Sequence, residues 1–382
     1  MKRLVILTEI ISPYRIPLFN ALARHGAVDL HVIFLAETDP GLRQWHVYKD
    51  EIKFSYEVLP SWRRRIGRFK ALINTGLNRA LTAASPDAIV CGGYSYLASW
   101  QTLLWAKKHN VPFLLWSESI AQELRRGYAL VEFLKDEFLQ RCCGFVVPGQ
   151  LAREYLRTRR IKDELIFTAC NAVDNDFFTA AAADARHNAM ARRSELRAPD
   201  RYFLFAGRLV REKGVFELLS AYATLNEQIR LQTGLVFAGD GPCRQQLEER
   251  AAAISPGKVM FAGFAQREQL AAYYALAEML VLPTYSDTWG LVVNEAMACG
   301  LPVILSQVAG CAPELVRQNW NGLLIPPRNV RSLAAAMQEL ASRPDRCASM
   351  GVNSAQLVLQ YSPEKWSSGM VEMMEVMAPT HD

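Results

Sequence analysis

Short apolar runs rich in β-branched and aromatic residues alternate with longer amphipathic stretches along almost the whole chain. In the first half the short runs fall at Leu4–Thr8, Leu30–Leu35, Phe54–Leu59, Ala88–Cys91, Phe113–Trp116, Gly144–Val147 and Ile166–Thr168. Runs of this length, bounded by polar turns, predict strands. Helical spacing of apolar positions predicts helices at Ile16–Ala23, Phe69–Ala83, Trp100–Lys107 and Val131–Cys142.

The pattern breaks over 179–201, which is rich in Ala, Arg and Asp and has no strand-like run. It resumes with strands expected at Tyr202–Ala206, Leu235–Ala238, Val259–Phe261, Met279–Leu282 and Val303–Leu305. Helices are expected at Val215–Gln228, Cys243–Ala253, Arg267–Ala277, Val292–Cys299 and Ser332–Leu340. Such alternation predicts an α/β protein with parallel sheets covered on both faces. The expected organisation is a doubly wound domain over 1–175, a linker over 176–200 and a second doubly wound domain over 201–360. A C-terminal helix over 361–382 either caps the second domain or crosses back to the first. Ligands of such sheets lie beyond the carboxyl ends of the strands, and a cleft between the two domains is the expected site.

Composition narrows this picture without redirecting it. A chain of 382 residues is too long for one ordinary core. With 51% apolar and 21% charged residues it is not a disordered chain. A net charge of +5 is too small to argue for nucleic acid. The eight cysteines form no C-x-x-C pair and no zinc-like cluster with histidine, so a reduced, cytoplasmic setting without a metal site is expected. The N-terminal MKRLVILTEIISPYR is too short in apolar core for a signal peptide, and no apolar run approaches the roughly 20 residues of a spanning helix.

One stretch concentrates positive charge: Trp62, Arg63, Arg64, Arg65, Arg68, Phe69 and Lys70 lie together without an acid. It is either a solvated surface or a patch that rests on anionic lipid, with the aromatic side chains in the interface.

Three groups in the second half carry chemistry. Phe205-Ala-Gly207-Arg208-Leu-Val-Arg-Glu-Lys213-Gly214 follows a strand and opens a helix, placing two cations where phosphate binds readily. Phe237-Ala-Gly239-Asp240-Gly241-Pro242 is turn chemistry at another strand-to-helix junction. In Pro283-Thr-Tyr-Ser-Asp287-Thr-Trp289-Gly290-Leu291-Val-Val-Asn-Glu295, a polar loop carries Asp287 into a helix start. The amides of Trp289, Gly290 and Leu291 are then available, with Glu295 further along the helix. Two carboxylates beside free amides suit a polyol that carries phosphate. Asp287 as a simple helix cap is the plainer alternative.

These motifs, with Ala-Met-Ala-Cys-Gly-Leu-Pro-Val after Glu295 and Asn321-Gly322-Leu-Leu beyond, resemble the retaining glycosyltransferases of family 4, which have the GT-B fold. The resemblance covers most of 202–327. It implies that Arg208 and Lys213 bind the donor diphosphate and that Asp287 and the 289–291 amides hold the sugar. It further implies that Glu295 reaches the ribose and that the segment at Phe264 contacts the base. Gly207, Gly239 and Gly241 complete the donor loops. The first acid of the family pattern is usually Glu, and here it is Asp287.

The first half resembles the family more loosely. Its first loop reads Ser12-Pro13-Tyr14-Arg15-Ile-Pro17, and Arg15, Tyr94 and Glu118 are candidates for the acceptor or the cleft. Many relatives carry a histidine where Trp116-Ser117-Glu118 stands. The resemblance implies a metal-independent enzyme of the hexosyltransferase class, without cofactor, that moves sugar from a nucleoside diphosphate sugar to a saccharide or polyprenol-linked hydroxyl. Bacterial surface polysaccharide synthesis is the expected setting. An epimerase of the same fold and a non-catalytic sugar-binding protein are the alternatives.

Overall fold

A computed structural model describes residues 1–39, 45–66, 69–121 and 129–378. Among the described residues, fifteen strands run in chain order. In the first half they are β1 Lys2–Thr8, β2 Val28–Phe34, β3 Ser55–Val58, β4 Ser61–Ile66, β5 Phe69–Asn74, β6 Ala88–Cys91, β7 Phe113–Trp116, β8 Gly144–Val147 and β9 Ile166–Thr168. In the second they are β10 Tyr202–Ala206, β11 Gly234–Ala238, β12 Val259–Gly263, β13 Met279–Leu282, β14 Val303–Ser306 and β15 Gly322–Ile325. They divide between two compact units. The first holds the described residues of 1–119, 129–173 and 363–378; the second holds 120–121 and 174–362.

The first unit is built on a seven-stranded parallel sheet in the order β3-β2-β1-β6-β7-β8-β9. Its central strands read as unbroken apolar runs, with Leu4, Val5, Ile6, Ile89, Val90, Leu114 and Leu115 fully buried. That is the pattern of a sheet covered on both faces. The helix Ile16–His25 begins on Pro17 and ends at Gly26, whose φ of 73° closes it in the left-handed region. The terminal helix Pro363–Met377 lies against it. Trp366 is fully buried, 5.8 Å from the Phe19 ring and 5.4 Å from Trp116.

Two expectations fail. The helix expected over Phe69–Ala83 is instead β5, paired antiparallel with β4 from Ser61↔Asn74 to Ile66↔Phe69, followed by a shorter helix Leu77–Ala84. Gly76, at φ +81°, turns the chain between them. The expected linker over 176–200 consists of helices Asn175–His187 and Ala189–Leu196 in the second unit. Asp174 caps the first by accepting from the Phe177 amide at 3.0 Å. The alanines that gave the stretch no strand character are the strongest helix formers.

The second unit holds a six-stranded parallel sheet, β12-β11-β10-β13-β14-β15. Every residue of β10 is buried. The strand order reverses between β10 and β13, and at such a reversal the loops leaving the carboxyl ends diverge and open a crevice.

Candidate active site

The loops leaving β10 and β13 therefore flank the natural ligand position of the second unit. After β10 the chain passes Gly207 and Arg208 and makes a short 3-10 turn, Arg211–Lys213, before the helix Val215–Thr224. After β13 it passes 283–290 and enters the helix Leu291–Ala298. Three interactions tie the two loops together. The Tyr285 amide donates to the Glu212 carbonyl at 2.7 Å. The Thr284 hydroxyl donates to the same carbonyl at 2.9 Å. Lys213 Nζ pairs with Asp287 Oδ2. The candidates Lys213 and Asp287 are thus brought into direct contact, both partly buried. Arg208 is exposed and makes no ion pair among the described residues.

Asp287 is not a simple helix cap, because Gly290 occupies the capping position at φ +97° and no side chain caps the helix. Gly290, Leu291 and the next residue open the helix, where amides have no intrahelical acceptor. Trp289 is a wall rather than an open contact. It is 2% exposed, and its Nε1 donates to buried Asn294 Oδ1 at 2.9 Å.

Glu295 lies one turn into that helix and meets a residue the motifs did not indicate. The Tyr274 hydroxyl, from the helix Arg267–Leu276, donates to Glu295 Oε2 at 2.7 Å. Burial pushes the Glu295 carboxyl up to about 7, against the lowering effect of this bond. The same burial raises the Tyr274 phenol further, so it remains a donor at neutral pH. Nothing in local spacing joins Tyr274 to Glu295, since they sit on separate helices.

The glycines of the β10 and β11 loops serve close backbone approach. The amides of Gly207 and Leu209 donate to Ala238 and Asp240 carbonyls at 2.9 Å, and the Cys243 amide donates back to Leu209 at 3.0 Å. A Cβ on Gly239 would run into the Gly207 carbonyl, and one on Gly241 would lie 2.6 Å from the Leu209 oxygen. Asn321 and Gly322 have a similar structural duty: fully buried Asn321 bonds Leu315 and Arg317 backbone at 2.8 Å, and Gly322 abuts the Val303 carbonyl. Phe264, just beyond β12, is 40% exposed at the same sheet edge as the other loops.

In the first unit the corresponding strand reversal lies between β1 and β6. Arg15 sits there with its guanidinium 4.3 Å above the Trp116 ring. One nitrogen donates to Thr8 Oγ1 at 3.1 Å, and another stands 3.6 Å from Glu118 Oε1. Asn171 Nδ2 donates to that same oxygen at 3.1 Å. Arg15 and Glu118 thus share one cluster. Tyr94 faces other partners: its ring is 6.1 Å from Phe138 and 5.6 Å from the buried Lys135 ammonium.

Of the basic stretch, Arg68 and the side chains of Arg64 and Arg65 lie outside the described residues. Arg63 pairs with Asp39 at 2.6 Å and donates to the Thr38 carbonyl at 2.8 Å. Trp62 is 60% exposed. Among the described residues no helix is long and apolar enough to cross a membrane.

Residues 188–357, nearly all of the second unit, match the family described as glycosyl transferases group 1. The chain is 33% identical over 175 residues to the alpha-D-kanosaminyltransferase of Streptomyces kanamyceticus, covering 44% of each chain. It is 31% identical over 179 residues to the D-inositol 3-phosphate glycosyltransferase of Streptomyces bingchenggensis, covering 44% of this chain and 39% of that one. The matched part thus spans less than half the length of these relatives. In three dimensions it is similar to HepE of Anabaena, solved with UDP and glucose, with a TM-score of 0.76 at 16% identity over 98% of this chain and 100% of that one. The fold is GT-B, and over residues 188–357 the chain is similar to the glycosyl transferases group 1.

Proposed function

We propose that the protein is a retaining glycosyltransferase that moves a sugar from a nucleoside diphosphate sugar to a hydroxyl acceptor. The observation that carries this reading is the Lys213–Asp287 pair set across the strand reversal of the second unit. It couples a phosphate-binding cation to a carboxylate of the kind that holds sugar hydroxyls. In the proposed reaction the bond from the anomeric carbon to the diphosphate oxygen breaks. A bond to the acceptor oxygen forms on the same face, and the acceptor proton passes to the departing diphosphate. Arg208, Lys213 and the opening amides of the helix Leu291–Ala298 stabilise the charge that develops on the leaving group, without a divalent metal. Glu295 holds ribose hydroxyls, and Phe264 lies beside the base. UDP is the first nucleotide to test, given the HepE complex.

The acceptor is assigned to the first unit, where Arg15, stacked over Trp116, forms an ion pair with Glu118. A polyprenol-linked saccharide fits best with a peripheral role at an anionic membrane, supported by the basic stretch 62–70 and exposed Trp62. One relative, named as a teichuronic acid biosynthesis glycosyltransferase of Bacillus subtilis and 34% identical over 137 residues, supports a polysaccharide pathway.

The test is a metal-free thermal-shift screen with UDP, GDP, ADP and dTDP on the wild type and Arg208→Ala. One nucleotide that stabilises the wild type and not the variant is expected. No shift with any of them overturns the reading.

A further inference from the structure

The segment that was expected to be a linker reaches the candidate site through one arginine. Arg186, near the end of the helix Asn175–His187, donates from Nε to the Ala275 carbonyl at 3.1 Å. Its Nη2 donates to the Cys299 carbonyl. These are terminal carbonyls of the helices Arg267–Leu276 and Leu291–Ala298, the two that carry Tyr274 and Glu295. A guanidinium placed at two helix C-termini satisfies carbonyls without intrahelical donors and sits where the helix dipoles favour positive charge. Thr179, on the same helix as Arg186, adds a bond to the Ala298 carbonyl at 3.1 Å. Phe178, 5% exposed, places its ring 6.3 Å from that of Tyr274.

This bracing has a chemical consequence at Glu295. A carboxylate on an unbraced helix samples several rotamers, and each ligand bond then costs the entropy of selecting one. Here Tyr274, itself fully buried, fixes Oε2, while Oε1 receives no hydrogen bond from a described residue. We propose that Tyr274 and Arg186 are positioning residues for Glu295: Arg186 locks the two helices in register, and Tyr274 anchors one carboxylate oxygen so that the other is presented to the nucleotide hydroxyls. This rests on the reading of Glu295 as a ribose ligand.

The experiment measures affinities of UDP and 2′,3′-dideoxy-UDP across neutral pH by calorimetry. It uses the wild type, Glu295→Gln, Tyr274→Phe, Arg186→Gln and Arg186→Lys. If the screen selects another base, that nucleotide and its dideoxy form replace these. The wild type is expected to favour the ribonucleotide, and Glu295→Gln to lose that preference. Tyr274→Phe, which removes one hydroxyl, is expected to weaken the ribonucleotide about five- to ten-fold and leave the dideoxy form unchanged. Its pH midpoint should also move upward, because the phenol no longer favours the ionised carboxyl. Arg186→Gln should act in the same direction, with partial recovery in Arg186→Lys.

Isotope-edited infrared titration of the Glu295 carboxyl in the ligand-free protein provides a readout independent of binding, and Tyr274→Phe should raise it. A Tyr274→Phe variant with unchanged preference and unchanged titration overturns the positioning proposal while the donor reading stands. A Glu295→Gln variant that keeps the wild-type preference overturns the ribose role itself, and absence of binding by every nucleotide overturns both. Should Arg186→Gln fail to fold, Tyr274→Phe and Arg186→Lys still decide the question.

Discussion

Lys213 and Asp287, 74 residues apart in the chain, form an ion pair that joins the loops on either side of the strand reversal in the second unit. The two groups assigned to diphosphate and sugar therefore neutralise each other before any ligand arrives. A diphosphate must compete with Asp287 for Lys213. Lys213→Ala is expected to weaken UDP by about 10- to 100-fold, the value of one charge-assisted bond. Asp287→Asn releases the lysine, so UDP should bind as well as before or a few-fold more tightly, while sugar transfer falls. Calorimetry on the two variants checks this. Equal weakening in both would make the pair a strut rather than a ligand site.

The contact between the β10 and β11 loops gives a prediction about stability. A methyl group at Gly241 would press on Leu209 backbone, with its oxygen 2.6 Å and its nitrogen 2.8 Å away. Backbone cannot move aside cheaply, and Gly241→Ala should cost roughly 1–3 kcal/mol. Gly263, at φ +74°, faces only the end of the Arg244 side chain at 3.4 Å. Gly263→Ala should therefore cost only the left-handed penalty, about 1 kcal/mol. Denaturant unfolding of the second unit would rank the two, and the reverse order would contradict the close approach.

The strands with the largest share of buried apolar residues, such as Tyr202–Ala206, were legible because a covered parallel strand needs apolar side chains on both faces. The β4–β5 hairpin was not. Ala71, Leu72, Ile73 and Leu77 repeat at spacings that suit a helix as well as a strand, and half of the pairing partner Ser61–Ile66 is arginine. Asp174 and the following alanines did carry a helix signal, hidden because the buried face, Phe178, Ala182 and Ala185, is mostly alanine. Within the site, Lys213 and Asp287 were legible because each stands in a motif. Tyr274 was not, because its role exists only once two helices are packed.

The half-buried Glu295 makes stability depend on pH in a defined direction. Its carboxyl titrates at about 7 in the folded protein and at 4.5 when unperturbed. Between those values the unfolded chain has released its proton and the folded chain retains it, so the folded state binds more protons. Stability contributed by this group is therefore greatest at acid pH and falls as pH rises toward 7, by on the order of 3 kcal/mol. Glu295→Gln should flatten that decline. Urea midpoints from pH 5 to pH 8 measure it, and parallel curves for wild type and variant would exclude a raised carboxyl.

Arg15 tests the division of labour between the units. Its guanidinium is held by Trp116, Thr8 and Glu118, all in the first unit. Arg15→Ala should leave UDP affinity within about two-fold but lower transfer about ten-fold or more, the loss of one charged hydrogen bond. A matching loss of UDP affinity would move Arg15 from the acceptor to the donor.

The remaining prediction concerns the hairpin. Arg63 is already committed to Asp39, so any attraction to anionic lipid comes from the rest of the basic stretch 62–70. A cation near an anionic surface contributes about 1 kcal/mol, and each is screened by salt. An exposed tryptophan adds contact area at the interface that salt does not weaken. Trp62 and the cations therefore contribute separable parts. Sedimentation with phosphatidylglycerol vesicles should be reduced by Trp62→Ser at all salt concentrations. Exchange of Arg64, Arg65 and Arg68 for glutamine should abolish binding at low salt and change little at high salt. Vesicles of phosphatidylcholine alone should retain almost none of the protein. Binding that ignores lipid charge, or that survives both sets of changes, would place the membrane contact elsewhere on the molecule or remove it.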